Sequence, residues 1–321
     1  MVNQRKKSKM LKKSLATAVA LVCIAGAAHA ETVAPVDSLE VSPFGRARTY
    51  VEVDSRDGVD PIVDSGSSRI GLKAKGQSGA IGIFGELSAN LNLNGGENVT
   101  TRFGYAGVSL EKLGSLSIGR QQGVQDSFTD NADIFTGAGN AAAQQMGFYA
   151  SQSIKYTNEI GGIKVAALAG MDDDDAGNET VDRYEVGIGA YGFAISMGQD
   201  EGADTSYYGI GYSGKFGKVS VGASYTIADA NDGGSFEDIV MFNSDDTTAV
   251  TRGIEVAAGF DVSEKVAIIG GYNLTDANGD EGVAVGELQY GLGKKAFAFA
   301  NLEYDLDASE YVTRAGLQIN F

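Results

Sequence analysis

The last eleven residues of the chain, Tyr311–Phe321, read YVTRAGLQINF and decide the fold class. Apolar side chains dominate the odd positions, whereas the even positions include Arg314, Gln318 and Asn320. Successive side chains of a β-strand point to opposite faces of the sheet. A period of two over ten or more residues therefore predicts a strand whose two faces meet unlike surroundings.

The same alternation recurs along the chain and predicts sixteen strands. Tight Gly-containing turns, such as Gly76–Gly79 and Tyr191-Gly192, alternate with longer loops at 54–66, 122–151, 171–181, 227–250 and 276–281. Short turns at one end, long loops at the other and an even number of strands are typical of an outer-membrane β-barrel. The predicted strands lie near 40–53, 67–76, 79–93, 100–111, 114–121, 152–158, 162–170, 182–190, 192–199, 205–213, 218–226, 251–260, 265–275, 282–292, 295–306 and 309–321.

Residues 1–30 have the pattern of a cleaved secretory signal peptide. Six Lys and Arg residues without an acid precede the uncharged apolar stretch Leu15–Ala28, and Ala28-His29-Ala30 forms a small-x-small cleavage site. Cys23 does not indicate a lipoprotein, because Val22 stands where a small residue is needed. We therefore expect residues 31–321 to form a single transmembrane β-barrel domain.

Composition excludes most catalytic functions. The chain has 25 Lys+Arg and 42 Asp+Glu, a net charge of −17; without the six basic residues of the leader, 19 against 42 give −23. The single Cys and the single His both lie in the leader, so the mature chain has neither. This absence excludes Ser-His-Asp and Cys-His catalysis and metal sites with His ligands, and we expect no cofactor. The acidity argues against a nucleic-acid partner, because phosphates repel such a surface unless a basic patch is segregated.

A soluble β-sandwich is the alternative that this pattern leaves open. The asymmetry of turns and loops, the export signal and the presence of only 3 Pro residues all favour a barrel, because a closed sheet has no edge strands to protect. We therefore predict an all-β fold, a sixteen-stranded antiparallel transmembrane barrel with short periplasmic turns and longer extracellular loops.

Six segments follow one another in a characteristic order along the whole mature chain: Val41–Arg46, Ser68–Lys73, Phe103–Val108, Gly114–Gln121, Gln152–Tyr156 and the terminal Phe321. In this order they resemble the Gram-negative general diffusion porins, which are trimeric outer-membrane proteins. The chain departs from the family at Ser151-Gln152, where an Arg-Asn pair is common, and at the short final loop Asp307–Ser309.

The resemblance implies that the third loop, 122–151, folds into the barrel and narrows the pore. Asp126, Asp130 and Asp133 would then form an acidic constriction, and Gly137–Gly139 would allow close approach to the wall. An ordinary solvated surface loop is the alternative, but apolar Phe128 and Phe135 in the middle of the loop favour packing. The family also implies that the terminal Phe321 is recognised by the assembly machinery.

Seven basic residues alternate with apolar ones on the first five predicted strands. In a barrel they would face water in the lumen, because a cation on the lipid face costs about 2–4 kcal/mol at mid-membrane. Acids of the loop facing cations of the wall would create a transverse field across the pore. The predicted basic wall consists of Arg46, Arg48, Arg69, Lys73, Lys75, Arg102 and Arg120.

Three other motifs are discounted. Gly187–Gly192 and Gly209–Gly214 both spell G-x-G-x-x-G, but neither opens a helix, so dinucleotide binding is not expected. The run Asp172–Asp175 lacks a calcium-loop pattern and is interpreted as a solvated acidic loop, with no metal site. Divalent ions held loosely between such loops and lipopolysaccharide would need no cage of ligands.

The leading hypothesis is a homotrimeric, water-filled channel for passive diffusion of ions and small hydrophilic solutes, weakly selective for cations because of the acidic excess. An outer-membrane enzyme is disfavoured by the missing His. A substrate-selective porin, or an adhesion or structural protein acting through acidic loops, remains open. Expected partners are outer-membrane lipid and lipopolysaccharide, periplasmic chaperones and the barrel assembly machinery.

Overall fold

Segments in which apolar and polar residues alternate form strands through nearly all of the chain for which structure is described. The computed structural model describes residues 38–55, 58–60, 68–92, 99–129, 133–136, 146–171, 182–201, 205–229, 250–276 and 281–321. The predicted signal peptide, Asp130, Gly137–Gly139 and Asp172–Asp175 lie outside these ranges. Within them, no helix has the length and apolar character needed to cross a membrane.

Sixteen long strands, which we number β1 to β16, follow one another in the described chain, and a three-residue strand, Gly58–Asp60, pairs with the end of β1. Strand ends differ from the sequence prediction by up to three residues. The long strands are β1 Ser38–Asp54, β2 Ser68–Ser78, β3 Ile81–Leu91, β4 Val99–Leu110, β5 Gly114–Gln122, β6 Tyr149–Ile160, β7 Ile163–Gly170, β8 Arg183–Ala190, β9 Phe193–Asp200, β10 Thr205–Phe216, β11 Val219–Asp229, β12 Val250–Asp261, β13 Val266–Thr275, β14 Glu281–Gly293, β15 Ala296–Asp305 and β16 Glu310–Asn320.

Each strand pairs antiparallel with its neighbours in sequence, and the sheet closes where β1 meets β16. Arg46 lies opposite Asn320 and Asp54 opposite Val312 along this seam. Phe321 extends the seam by one residue, because its backbone N–H and C=O both bond to Gly45, at 3.0 and 2.9 Å. The predicted closed, sixteen-stranded antiparallel barrel is confirmed.

Connections at the two ends of the barrel differ in length. Turns of two to four residues join β2 to β3, β4 to β5 and the later pairs at one end, and both barrel termini lie at this short-turn end. Gly161, Gly192 and Gly217 in these turns have positive φ, which a residue without Cβ adopts readily. The longer connections all lie at the opposite, long-loop end.

The two faces of the wall have the opposite polarity from a soluble domain. Leu317 and Ile319 on the outer face of β16 are about half exposed, whereas Gln318 between them is buried on the inner face. Apolar residues exposed outside and polar residues packed inside place the hydrophobic surface against lipid. The alternation in Tyr311–Phe321 is therefore the alternation between lipid and lumen.

Candidate functional site

The third loop of the long-loop end, residues 123–148, is called loop 3 here. It begins with a short helix, α1 (Val124–Thr129), that packs inside the barrel against β8, β9 and β10. Two wall glycines make room for it. A Cβ on Gly187 would lie 2.8 Å from the Phe128 ring, and one on Gly209 would lie 2.9 Å from Thr129. The predicted inward fold of this loop is confirmed.

The first half of loop 3 is anchored by Glu185 on β8. The Gln125 backbone N–H donates to Glu185 Oε2 at 2.7 Å, and the Gln125 side-chain oxygen accepts from Met146 N at 2.9 Å. Arg183 donates to Glu185 from 2.8 Å, and both side chains are almost fully buried. A buried carboxylate that is paired and hydrogen-bonded is satisfied, so this anchor is fixed.

The other side of loop 3 is anchored to the opposite wall by Glu287 on β14. The Thr136 backbone N–H donates to both oxygens of Glu287, at 2.9 and 3.0 Å. Gln289 adds a bond to Thr136 Oγ1 at 2.9 Å. Phe135 packs onto Gly271 of β13, where a Cβ would lie 2.7 Å from its ring. Loop 3 therefore crosses the lumen from β8 to β14.

Asp133 lies between these anchors and faces the basic wall. Its side chain is open to water in the lumen, yet barrel and loop atoms surround it. The surrounding protein atoms displace part of the water near the carboxylate and so raise the pKa of Asp133 above the ordinary 3.8, while the positive charges of Arg48 and Arg46 act in the opposite direction. The sequence prediction brought Asp133 and the two arginines together, and the structure places them within electrostatic reach.

Asp126 occupies a different setting from Asp133. It is buried in α1 and accepts a hydrogen bond from the side-chain amide of Gln122. Burial raises the pKa of Asp126, and the bond from Gln122 lowers it. Its carboxylate is thus bonded to Gln122 at the end of β5, and Lys155 of β6 is a cation near it. Asp130 lies outside the described residues.

Four arginines from three strands form one cluster, which we call the arginine belt: Arg46, Arg48, Arg69 and Arg102. Arg46 interacts electrostatically with the other three, and Arg46 and Arg69 are direct partners across β1 and β2. Arg48 donates to Gln318 at 2.9 Å. Arg120 lies beside the belt, bonded to the carbonyl of Arg102 at 3.2 Å. Five of the seven predicted basic residues therefore meet at one height of the wall.

The two predicted lysines lie closer to the short-turn end. Lys73 forms an ion pair of 3.7 Å with Glu86 on β3 and lies 5.0 Å from the centre of the Phe44 ring. Lys75 is opposite Glu40 and Phe84, only four residues before Gly79 in the turn. The basic wall is thus a column that runs from the belt toward the short-turn end.

Sequence reasoning missed the buried acids and the aromatic lining. Glu185, Glu255 and Glu287 are at most 3 % exposed and point into the barrel. Their alternation with apolar neighbours indicated an inner face, but the bonds that Glu185 and Glu287 accept from the backbone of loop 3 could not be inferred from the strands alone. Phe103 and Phe148 on the inner wall flank Arg102, with ring centres 4.9 and 5.0 Å from its guanidinium carbon. In the described ranges no three His, Cys, Asp or Glu residues are placed to hold a metal ion.

Comparison with known proteins agrees with this architecture. Residues 16–310 match the family described as Gram-negative porin. Outer membrane porin C of Serratia marcescens is 29% identical over 216 residues, 63% of this chain and 55% of that protein. Outer membrane protein U of Vibrio vulnificus is 26% identical over 239 residues, 71% of this chain and 68% of the relative. The chain thus spans little more than half the length of the Serratia relative.

Solved structures show the same fold. In-vitro folded OmpT of Vibrio cholerae, in its trimer form, has a TM-score of 0.67 at 19% identity and covers 89% of this chain and 100% of its own. An anion-selective porin from Comamonas acidovorans has a TM-score of 0.67 at 17% identity, covering 88% and 100%. These relatives are described as porins and outer-membrane proteins, in agreement with the prediction that the chain is not an enzyme. The chain belongs to the Gram-negative porin family, and it is a multi-pass β-barrel of the outer membrane.

Proposed function

We propose that the protein forms a water-filled channel for passive diffusion of ions and small hydrophilic solutes. The observation that carries this proposal is loop 3, fixed across the lumen with Asp133 facing the arginine belt. Barrels of about sixteen strands enclose an aqueous channel, whereas about eight strands leave an interior that side chains fill. We propose that loop 3 narrows such a channel without closing it.

The opposed charges give the constriction its chemistry. A carboxylate on one side and guanidinium groups on the other orient water across the pore, which disfavours apolar solutes. The residues that we assign to this constriction are Asp130 and Asp133 on the loop and the five arginines of the wall, Arg46, Arg48, Arg69, Arg102 and Arg120; Asp126 supports the loop from within, and Lys73 and Lys75 line the pore nearer the short-turn end.

We further propose a weak preference for cations. The mature chain carries 19 basic and 42 acidic residues, a net charge of −23, and a negative field at the mouth enriches cations. The arginine belt opposes this effect, which keeps the preference small. Reversal potentials in a salt gradient test this preference. A clear preference for anions would show that the positive charge of the arginine belt has a larger effect than the negative field at the pore mouth.

The assembly is proposed to be a homotrimer in contact with lipid and lipopolysaccharide, delivered by periplasmic chaperones and the barrel assembly machinery. The trimer form of OmpT supports this proposal, since that relative has the same fold. The acidic long loops support contacts to lipopolysaccharide through divalent ions, and they leave an adhesion role as a second candidate. Loss of cell attachment on deleting the loops, with conductance unchanged, would support that second role.

Single-channel recording of refolded protein in a planar bilayer tests the proposal. We expect conductance in steps that are multiples of three, and a larger conductance after deletion of Asp126–Asp133. Absence of conductance from correctly folded protein would rule out a diffusion pore. An unchanged conductance in the deletion variant would show that loop 3 does not limit the current.

A further inference from the structure

Five aromatic side chains, four on wall strands and one at the end of loop 3, form a continuous row along the inside of the barrel, which we call the aromatic ladder: Phe84, Tyr105, Phe103, Phe148 and Tyr149. Ring centres are 6.4 Å apart from Phe84 to Tyr105, and 6.3 Å from Tyr105 to Phe103. The row continues with 5.8 Å to Phe148 and 4.7 Å to Tyr149. The ladder therefore reaches from the strand position opposite Lys75 up to the arginine belt.

Toward the short-turn end, glycines lie beneath the rings, so the rings lie close against the backbone of the wall. A Cβ on Gly107 would lie 2.4 Å from Phe84 Cζ, and one on Gly71 would lie 2.6 Å from the Phe44 ring. A ring that occupies the space of a missing side chain lies against the backbone and turns its free face to the lumen. Phe84, Tyr105 and Phe103 are all partly exposed. The wall thus offers aromatic faces to a passing solute.

Cations flank the same row. Arg102 lies over Phe103 and Phe148, and Arg120 lies 4.3 Å from the centre of the Tyr149 ring. Arg69 and Lys73 line the cavity beside Phe103 and Tyr105. The acid in this cavity, Glu86, is buried, pairs with Lys73 and accepts a bond from Ser88 at 2.8 Å. The charge that a solute meets here is therefore positive.

Aromatic faces and cations share one cavity of about 450 Å³, lined among others by Arg69, Phe84, Arg102, Phe103 and Tyr105. A second cavity of about 490 Å³ shares Phe84 and Tyr105 and continues to Lys75 and Gln77 beside the short turn. Cavities of this size accept a molecule of one aromatic ring with its substituents.

We propose that this wall is a binding subsite for aromatic carboxylates, which cross the pore along the aromatic ladder. The flat ring of such a solute stacks on Phe103 and Tyr105, in offset or edge-to-face contact, while its carboxylate pairs with Arg69 and Arg102. Sugars also stack on aromatic rings, but they carry no charge to engage the cations. The subsite rests on the proposed function, since it lies in the lumen of a conducting pore.

Block of the ion current in a planar bilayer tests the subsite, with benzoate as the probe. Cyclohexanecarboxylate carries the same charge without an aromatic ring, and benzylammonium carries the ring with the opposite charge. We expect benzoate to reach half-maximal reduction of the current at a concentration about fivefold lower than cyclohexanecarboxylate, a ratio that corresponds to the free energy of one aromatic contact. Benzylammonium should give no saturable reduction. Equal effects of benzoate and cyclohexanecarboxylate would overturn the inference, and a normal current in KCl would leave the diffusion pore intact.

Variants separate the ring from the charge. We expect Tyr105→Leu to weaken block by benzoate about fivefold and to leave block by cyclohexanecarboxylate unchanged. Arg69→Gln is expected to weaken both compounds alike. Tyr207→Leu, which changes an aromatic residue of β10 away from the ladder, serves as the matched control and should change neither. Each variant is first shown to conduct in KCl, so that loss of block is not loss of the barrel. Loss of block in Tyr207→Leu, or full block in Tyr105→Leu, would contradict the subsite.

Discussion

Single glycines of the wall decide whether loop 3 can dock. We expect Gly187→Ala to destabilise the folded barrel by about 1–3 kcal/mol, the usual cost of overpacking, because the new Cβ would lie 2.8 Å from Phe128 and 2.9 Å from Val124. Thermal unfolding followed by circular dichroism measures this loss. Gly286→Ala on β14 is the matched control, since its Cβ would meet nothing within 4 Å. Equal unfolding temperatures of the two variants would show that α1 does not need a glycine at position 187 in order to pack against the wall.

Asp133 gives the constriction a response to acid. Partial loss of water around it raises the pKa of Asp133 above 3.8, so this carboxylate gains a proton at a higher pH than an aspartate surrounded only by water. Above that pKa the loop presents a negative charge to Arg48 and Arg46, and below it a neutral carboxyl group faces these two arginines. We therefore expect the reversal potential to shift toward anions as the pH falls through this pKa.

Asp133→Asn is expected to remove the pH-dependent shift of the reversal potential. At neutral pH this variant should already have the ion selectivity that the unchanged protein shows at acidic pH. Asp261→Asn is the control, because Asp261 lies at the short-turn rim and pairs with Lys215 at 3.0 Å. An unchanged pH profile in Asp133→Asn would assign the step to other acids.

At the scale of the element, loop 3 is held by its two buried glutamates. We expect Glu287→Ala to release the Thr136 end and to give a larger and noisier single-channel current, because two backbone-to-carboxylate bonds of 2.9 and 3.0 Å are lost. Glu287→Gln removes the same charge but keeps an acceptor oxygen, so its current should stay close to that of the unchanged protein. Identical currents in both variants would attribute the effect to charge rather than to anchoring.

The sequence predicted that loop 3 folds inward, but not where it is attached. Phe128 and Phe135 signalled burial because apolar residues in a long polar loop need a surface to cover them. The packing of Phe128 on Gly187 and of Phe135 on Gly271 could not be predicted from the sequence, since a glycine in a strand equally marks a bulge or a tight bend. The discounted G-x-G-x-x-G motifs at Gly187 and Gly209 have a packing role: both first glycines accommodate α1.

At the scale of the whole molecule, the closing seam joins Gly45 to the terminal Phe321. A Cβ on Gly45 would lie 2.2 Å from the Phe321 ring, so the ring covers the glycine on the outer face. We expect Gly45→Ala to lower the temperature at which the barrel unfolds in detergent, as seen by its mobility on gels. Gly104→Ala, where a Cβ meets nothing within 4 Å, is the control.

Phe321→Ala distinguishes closure of the seam from recognition during assembly. The backbone bonds to Gly45 do not depend on the side chain, so we expect the variant to refold in detergent with nearly normal yield. If Phe321 is the assembly signal, the same variant reaches the outer membrane of cells in strongly reduced amount. Normal amounts in the membrane would remove that role.

Strand number and closure could be predicted because period-two alternation is local and each strand pairs with its neighbour in sequence. The gathering of Arg46, Arg69 and Arg102 at one height could not, because it depends on the register of four strands and on irregular pairing between Ser88 and Ala89. A one-residue change of register would move every side chain of a strand to the other face.

The attachment of loop 3 to two facing walls makes it a cross-brace as well as a constriction. A thin-walled barrel flattens easily under lateral load, and a loop bonded to both sides of the wall resists that flattening. Bilayer tension or crowding by neighbouring proteins would therefore change the pore cross-section little while Glu185 and Glu287 hold loop 3. Membrane stretching in patch-clamp recordings should leave the current steady, and cutting the brace at Glu287 should make it sensitive to tension.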